Sequence, residues 1–312
     1  MQGGTVGNLS ALVVARAEAR KQYPDTTRWV IACSEQAHSS IASAAQVMDV
    51  DVLEIAVDEH GKLQGDAVGK EIDALHRQSG RRVFAVVATA GTTNLGIIDD
   101  LAGIGAAAKA REIWFHVDGA YGLAALCAPS VRTLFNGIEN VDSLIVDPHK
   151  WLFAPYDACA LIYRTPELAR EVHTQHASYL DTLHDGNWNP SDYAIQLTRR
   201  TRGLPFWFSL AAYGTDAYSE AMEQSLEVAK YAAKKVSEHP NLELLCEPEL
   251  SIVAFTRTGW TASDYQKWSD ELLTEQVGFI PPSSHDGQPI LRFAIVNPWT
   301  KFSDIDLILQ RL

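Results

Sequence analysis

The sequence predicts an α/β protein: a mainly parallel sheet covered by helices on both faces, followed by a smaller α+β domain. Three observations lead there. Short, nearly unbroken apolar runs recur at 29–33, 52–57, 83–88, 113–117, 143–146 and 158–163, as strands buried on both faces require. Stretches of helical period near 39–48, 65–79 and 100–110 lie between several of them. Beyond residue 204 the pattern changes to one long helix, shorter strands and two further helices, which divides the chain into 1–204 and 205–312. At 312 residues, 46% of them hydrophobic, the chain is long enough to bury a sizeable core.

The first element is an alanine-rich helix over 9–20, entered from the glycine turn Gly3-Gly4-Thr5-Val6-Gly7-Asn8. Such a turn gathers free backbone N–H groups at the positive end of a helix dipole and suits a phosphate, although a plain helix start has the same composition. After the strand 29–33, His38 stands at the entrance to the next helix within Glu35-Gln36-Ala37-His38-Ser39-Ser40. After the strand 83–88, Gly91 leads into Thr92 and Thr93, hydroxyls at a strand end. Asp99 and Asp100 fall in the N-cap region of the helix that follows.

The run 113–117 closes on Asp118, followed by the small residues Gly119 and Ala120 and by Tyr121. A carboxylate there either caps the next turn or serves as the anionic partner of a pyridinium nitrogen, with small neighbours that let a flat ring approach. The run 143–146 leads to Asp147-Pro148-His149-Lys150-Trp151, in which Pro148 keeps the turn out of a helix. Lys150 is either a surface lysine or, desolvated among Trp151, Leu152 and Phe153, a Schiff-base nucleophile. Asp118 and Lys150 at two strand ends of one α/β sheet make pyridoxal 5′-phosphate the leading cofactor, because ligands of such sheets bind at the carboxyl ends of strands.

The segment from His173 to Pro190 has weak periodicity and reads as a long, lid-like loop. Arg199, Arg200 and Arg202 then precede Pro205, which suits the first turn of a helix reaching about residue 239. Strands at 242–246, 252–257 and 290–296 and helices near 262–276 and 303–312 complete the small domain.

Taken in order, the blocks from Gly3-Gly4-Thr5 to Leu291-Arg292-Phe293-Ala294 resemble the group II pyridoxal-phosphate-dependent amino-acid decarboxylases, of the aromatic L-amino-acid decarboxylase type. The resemblance implies a fold-type I transferase-like architecture with a seven-stranded-type sheet, and a homodimer. It assigns the cofactor to Lys150, Asp118, His38, Ala120, Gly4, Thr5, Thr93 and His149. Lys150, His38 and Tyr179 would be catalytic, Tyr179 as the acid that reprotonates the substrate carbon, and Arg292 would either face the substrate carboxylate or form a structural salt bridge. The family's long N-terminal segment does not precede the glycine turn, so the expectation is a fragment or a reduced variant. Many relatives carry asparagine where Asp147 stands near the phosphate, and a carboxylate there is repelled unless protonated or turned away. Trp151 after the lysine favours an aromatic substrate, with a diaminobutyrate- or glutamate-type decarboxylase, an aldehyde synthase and a non-catalytic remnant as alternatives.

Composition excludes other classes. A formal net charge of -13 argues against nucleic acid or an anionic membrane as partner. No apolar run approaches the ~18 residues of a membrane span, and the N-terminus lacks the basic start and apolar core of a signal peptide. Cys33, Cys127, Cys159 and Cys246 are scattered without metal-ligand spacing, so they read as reduced thiols of a cytoplasmic protein with no metal.

Overall fold

The computed structural model describes residues 1–176 and 188–312, the side chain of Ser79 excepted. Its larger sheet has six strands among the described residues: β1 (Trp29–Ser34), β2 (Asp51–Ile55), β3 (Arg82–Thr89), β4 (Trp114–Asp118), β5 (Ser143–Val146) and β6 (Ala160–Tyr163), in the order β2-β1-β3-β4-β5-β6. That is one fewer than the seven-stranded type implied by the resemblance. β1 to β5 pair in parallel and β6 runs antiparallel to β5.

The period of two sorts β1 between two cores. Trp29, Ile31 and Cys33 face α1 (Gly4–Gln22) and α2 (Ser40–Met48), where they pack with Leu12, Ala15, Ile41 and Ala44. Val30 and Ala32 face the opposite way, toward Val68 and Ile72 of α3 (Gly65–Ser79) and Leu101 and Ile104 of α4 (Leu101–Lys109). Both faces are therefore covered, which is why the strands read as continuous apolar runs. α1 lies close to β5 because residue 7 is glycine: a Cβ there would stand 2.9 Å from Ile145 Cγ2 and 2.9 Å from Cys159 Sγ.

Beyond β6 come α5 (Pro166–His173), absent from the sequence reading, and α6 (Gly203–Glu238). The single long helix expected from residue 205 is interrupted at Gly214, whose φ of 76° and ψ of 168° no helix interior holds. Buried Tyr218, Met222 and Leu226 of α6 join the larger core, while Val228, Ala229, Ala232 and Val236 join a second one. That second core lies between α6, α7 (Ala262–Thr274), α8 (Phe302–Leu309) and an antiparallel sheet of order β7-β8-β10-β9. Its strands are β7 (Leu242–Leu244), β8 (Ile252–Arg257), β9 (Ser283–His285), also unanticipated, and β10 (Gln288–Ala294). Among the described residues no helix is long and apolar enough to cross a membrane.

Candidate active site

The carboxyl ends of β3, β4 and β5, the start of α2 and the N-terminus of α1 converge on a pocket of about 330 Å³. Gly4, Thr5, His38, Thr93, Asp118, Ala120, His149 and Lys150 all line it. A larger cavity of about 860 Å³, where α1 and α4 meet the opposite ends of β3 and β4, contains none of these residues. Tyr179 lies outside the described residues.

α1 begins at Gly4 with Gly3 as an N-cap that supplies no side-chain acceptor. The first turn therefore offers backbone N–H groups to the pocket, and the amide of Gly4 donates to Asp147 Oδ2 at 3.2 Å. Close approach again needs glycine, since a Cβ on residue 4 would lie 3.0 Å from Ile145 Cδ1 and 3.3 Å from the Ala120 methyl.

Asp118 ends β4 and is 6% exposed. Its Oδ1 accepts from the Ala120 amide at 3.1 Å and its Oδ2 from Asn8 Nδ2 at 2.8 Å. Asn8 is wholly buried and was not anticipated as a site residue. Its Nδ2 also donates to Ser40 Oγ at 3.0 Å, and its Oδ1 accepts from His116 Nε2 at 2.9 Å. The donors then fix every proton in the chain. Because Asn8 Oδ1 takes the Nε2 proton of His116, Nδ1 accepts from the Ser143 hydroxyl at 2.8 Å, and Ser143 Oγ in turn accepts from Trp114 Nε1 at 2.8 Å. Burial pushes His116 down to about 4 despite the nearby Asp118 charge, which keeps the ring neutral. The result is a line of donors running from Trp114 to the Asp118 carboxylate.

His38 caps α2 from outside: its Nδ1 accepts from the Ser40 amide at 3.1 Å and lies 2.9 Å from Ser40 Oγ. That leaves Nε2 as the nitrogen that carries an N–H. Thus His38 and Asp118 share one hub, Asn8, through Ser40. His149 is clipped to the backbone of Ala158, with Nδ1 2.6 Å from its carbonyl oxygen and 3.0 Å from its amide, and the Tyr156 ring lies 4.7 Å away at the pocket mouth.

Lys150 departs from its expected surroundings. Its side chain is 39% exposed and its Nζ lies 3.2 Å from Asp147 Oδ2, so the amine meets a carboxylate rather than an apolar wall. Trp151, expected beside it, is fully buried and stacks on Tyr121 with ring centroids 5.1 Å apart. Arg292 does not line the pocket: its guanidinium donates to the carbonyl of Thr93 and so props the loop after β3 against β10. Thr92 is buried in the same loop, its hydroxyl accepting from the Ile97 amide at 3.1 Å. Asp100 caps α4 through the Gly103 amide at 2.9 Å, whereas Asp99 is buried against the amides of Thr89 (2.7 Å) and Leu63 (2.9 Å), and burial pushes it up to about 7.

Comparison with known proteins bears on the family and the fold. Residues 1–258 match the model described as "Pyridoxal-dependent decarboxylase conserved domain". The chain is 28% identical to the aromatic-L-amino-acid decarboxylase of Bacillus atrophaeus, over 100% of this chain and 67% of that protein. It is 32% identical to the acidic amino acid decarboxylase GADL1 of Xenopus tropicalis, over 99% of this chain and 66% of that protein. The chain spans 51% of the human counterpart of the latter and 42% of the histidine decarboxylase of Rattus norvegicus, so it covers between about two fifths and two thirds of these curated relatives. Among solved structures it superposes on mouse CSAD with a TM-score of 0.87 at 25% identity, covering 99% of this chain and 70% of that one. It likewise superposes on Oryza sativa TDC with PLP and tryptamine, with a TM-score of 0.91 at 22% identity, covering 100% of this chain and 69% of that one.

Proposed function

The chain belongs to the pyridoxal-dependent decarboxylase family, and from that premise we propose that it decarboxylates an L-amino acid, with an aromatic side chain favoured, to the amine and CO₂. The observation that carries the reading is the convergence of Lys150, Asp118 and His38 on one pocket, with a helix N-terminus at its floor.

Those residues fit pyridoxal 5′-phosphate. The Lys150 amine is the group that would hold its aldehyde, Asp118 the anion for its ring nitrogen, and Gly4 and Thr5 the backbone and hydroxyl donors for its phosphate. His38 and Ala120 would flank the ring, with Thr93 and His149 at its edge. When bound, the cofactor supplies the electron sink for cleavage of the carboxylate bond. Everything else falls to the chain. Asn8 and the Ala120 amide donate to Asp118 and hold its carboxyl group in place. His38 presents an N–H from a ring fixed by Ser40. Tyr179 would return a proton to the substrate carbon. Arg292 would act on the substrate end only through the Thr93 loop it props.

Among the described residues lining the pocket, Lys150 is the sole lysine or arginine, whereas Tyr121 and Tyr156 add aromatic walls. A side chain with a second carboxylate lacks a cationic partner there, which favours an aromatic substrate over an acidic one. Exposed Leu204, Trp207, Phe208 and Tyr213 on α6 support a homodimer that covers them. Buried free thiols at Cys33 and Cys159 support a cytoplasmic setting.

The test is purified protein with added cofactor and a panel of aromatic and acidic L-amino acids, with CO₂ and amine measured together and particle mass determined by light scattering. Aromatic amine formation, lost together with the cofactor's visible absorbance in Lys150→Ala, is the expected result. Aldehyde and ammonia in place of amine would indicate an aldehyde synthase. An intact visible spectrum in Lys150→Ala would overturn the assignment.

A further inference from the structure

One residue of the pocket disagrees with the cofactor the rest would hold. Asp147 is 2% exposed, and its Oδ2 already takes the Gly4 amide at 3.2 Å, at the helix end proposed for the phosphate. The same oxygen lies 3.2 Å from Lys150 Nζ and 3.8 Å from His149 Nε2. Its other oxygen, Oδ1, is buried and has no hydrogen-bond partner among the described residues. The backbone holds it there: the Asp147 amide donates to the Ala120 carbonyl at 3.0 Å, and its own carbonyl accepts from the Lys150 amide at 2.9 Å. Aspartate thus does not turn away, and it sits on the donors an incoming phosphate needs.

We propose that Asp147 is an internal anion that occupies the phosphate cradle and must take up a proton when a phosphorylated cofactor seats, so that loading is coupled to pH. The inference rests on the cofactor reading above and adds a regulation of that site. Charge and geometry both require the coupling. A phosphate and a carboxylate on one helix N-terminus repel, and the low-dielectric surroundings strengthen the repulsion. A proton from solvent, placed on the unpartnered Oδ1, removes that charge and leaves Oδ2 as the acceptor of the Gly4 amide. The other titratable side chains facing Asp147 are Lys150 and His149 in its own turn and the Cys159 thiol at the edge of β6. Asp118 is the pocket's second carboxylate. Lys150 changes protonation when it condenses with an aldehyde, so the test must remove that reaction.

4′-Deoxypyridoxine 5′-phosphate has no aldehyde and serves as the probe, with unphosphorylated 4′-deoxypyridoxine as its control. Binding is followed by tryptophan fluorescence across the neutral to alkaline range, and proton uptake by calorimetry in two buffers of different ionisation enthalpy. Wild-type affinity for the phosphorylated probe should fall toward the limit of about tenfold per pH unit that a single linked proton allows. Calorimetry should show about one more proton taken up by wild type than by Asp147→Asn. The isosteric Asp147→Asn should bind that probe at least about tenfold tighter at alkaline pH, with a flatter profile, as removal of about one pK unit of repulsion requires. Affinity for the unphosphorylated control should be the same in both proteins. Equal affinities and slopes in the two proteins, or an equal gain for the control, would overturn the inference while leaving the cofactor site intact. Failure of both proteins to bind pyridoxal 5′-phosphate or either probe would remove the cofactor reading itself, and the inference with it. The wild-type proton count does not depend on how well the variant folds.

Discussion

The buried relay through Asn8 makes a demanding prediction. In Asn8→Ala, Asp118 Oδ2 loses the donor now 2.8 Å away, and His116 Nε2 loses the acceptor at 2.9 Å. A hydrogen bond to a carboxylate contributes about 1.5–3 kcal/mol, and a stranded buried N–H costs about 1–3 kcal/mol. The bond to Ser40 adds about 1 kcal/mol more. Some overlap is inevitable because all three share one side chain, so the expected loss is about 3–5 kcal/mol. Against a total stability of about 5–15 kcal/mol the variant folds but is visibly weakened. Urea unfolding at neutral pH measures this, with Ser40→Ala as a control that removes the contacts to Asn8 and His38 but leaves Asp118 its donor, and should lose only about 1–2 kcal/mol. His116→Gln combined with Asn8→Ala should lose less than the sum of the single variants by at least about 1 kcal/mol, since each already breaks the same link. A loss below about 1 kcal/mol in Asn8→Ala, or additivity within about 0.5 kcal/mol, would refute a relay that acts as one unit.

The remaining predictions concern pH, packing and outcome. Because burial pushes His116 down, the unfolded chain takes up its proton first as pH falls from 6.5, so His116 supports the fold above 6.5 and loses that support progressively toward pH 4. Asp99, raised to about 7, acts in the opposite sense, but it does so in both proteins. The urea midpoint of His116→Gln should therefore fall less than that of wild type between these pH values. Gly7→Ala puts a Cβ 2.9 Å from both Ile145 Cγ2 and Cys159 Sγ, and should cost about 1–3 kcal/mol in the same assay. Tyr179→Phe should divert product from amine toward aldehyde by mass spectrometry; an unchanged amine yield removes Tyr179 from the chemistry.

The strands of the larger sheet were legible because burial on both faces leaves little room for polar residues, so each appeared as an apolar run within two residues of its final bounds. Site residues at strand ends were legible for a related reason: Asp118 and Lys150 interrupt or follow such runs. Asn8 was not. Its partners lie 32, 108 and 110 residues away, and nothing in an alanine-rich helix start separates a hub from a polar face. Local sequence also misplaced Trp151, which follows the lysine in the chain but turns into the core to stack on Tyr121. The kink at Gly214 was hidden by helical period on either side of it. α5 begins at Pro166 and β9 has only three residues, too short for either to show a pattern.

The smaller sheet and the turn leading into β8 are fastened to the loops of the larger sheet at three places. Tyr121, three residues beyond Asp118, shares its hydroxyl with Ser251 Oγ at 2.5 Å; Glu249 takes Lys62 Nζ at 2.6 Å and the Ile98 amide at 2.8 Å; and Arg292 grips the Thr93 carbonyl. Such clasps make the far half of the molecule a rudder for the near one. A tilt of the small sheet draws on the turn after β4 and the loop after β3 at once, so substitutions well away from any reacting atom, at Ser251 or Glu249, will register first as altered cofactor grip and only later as lost fold.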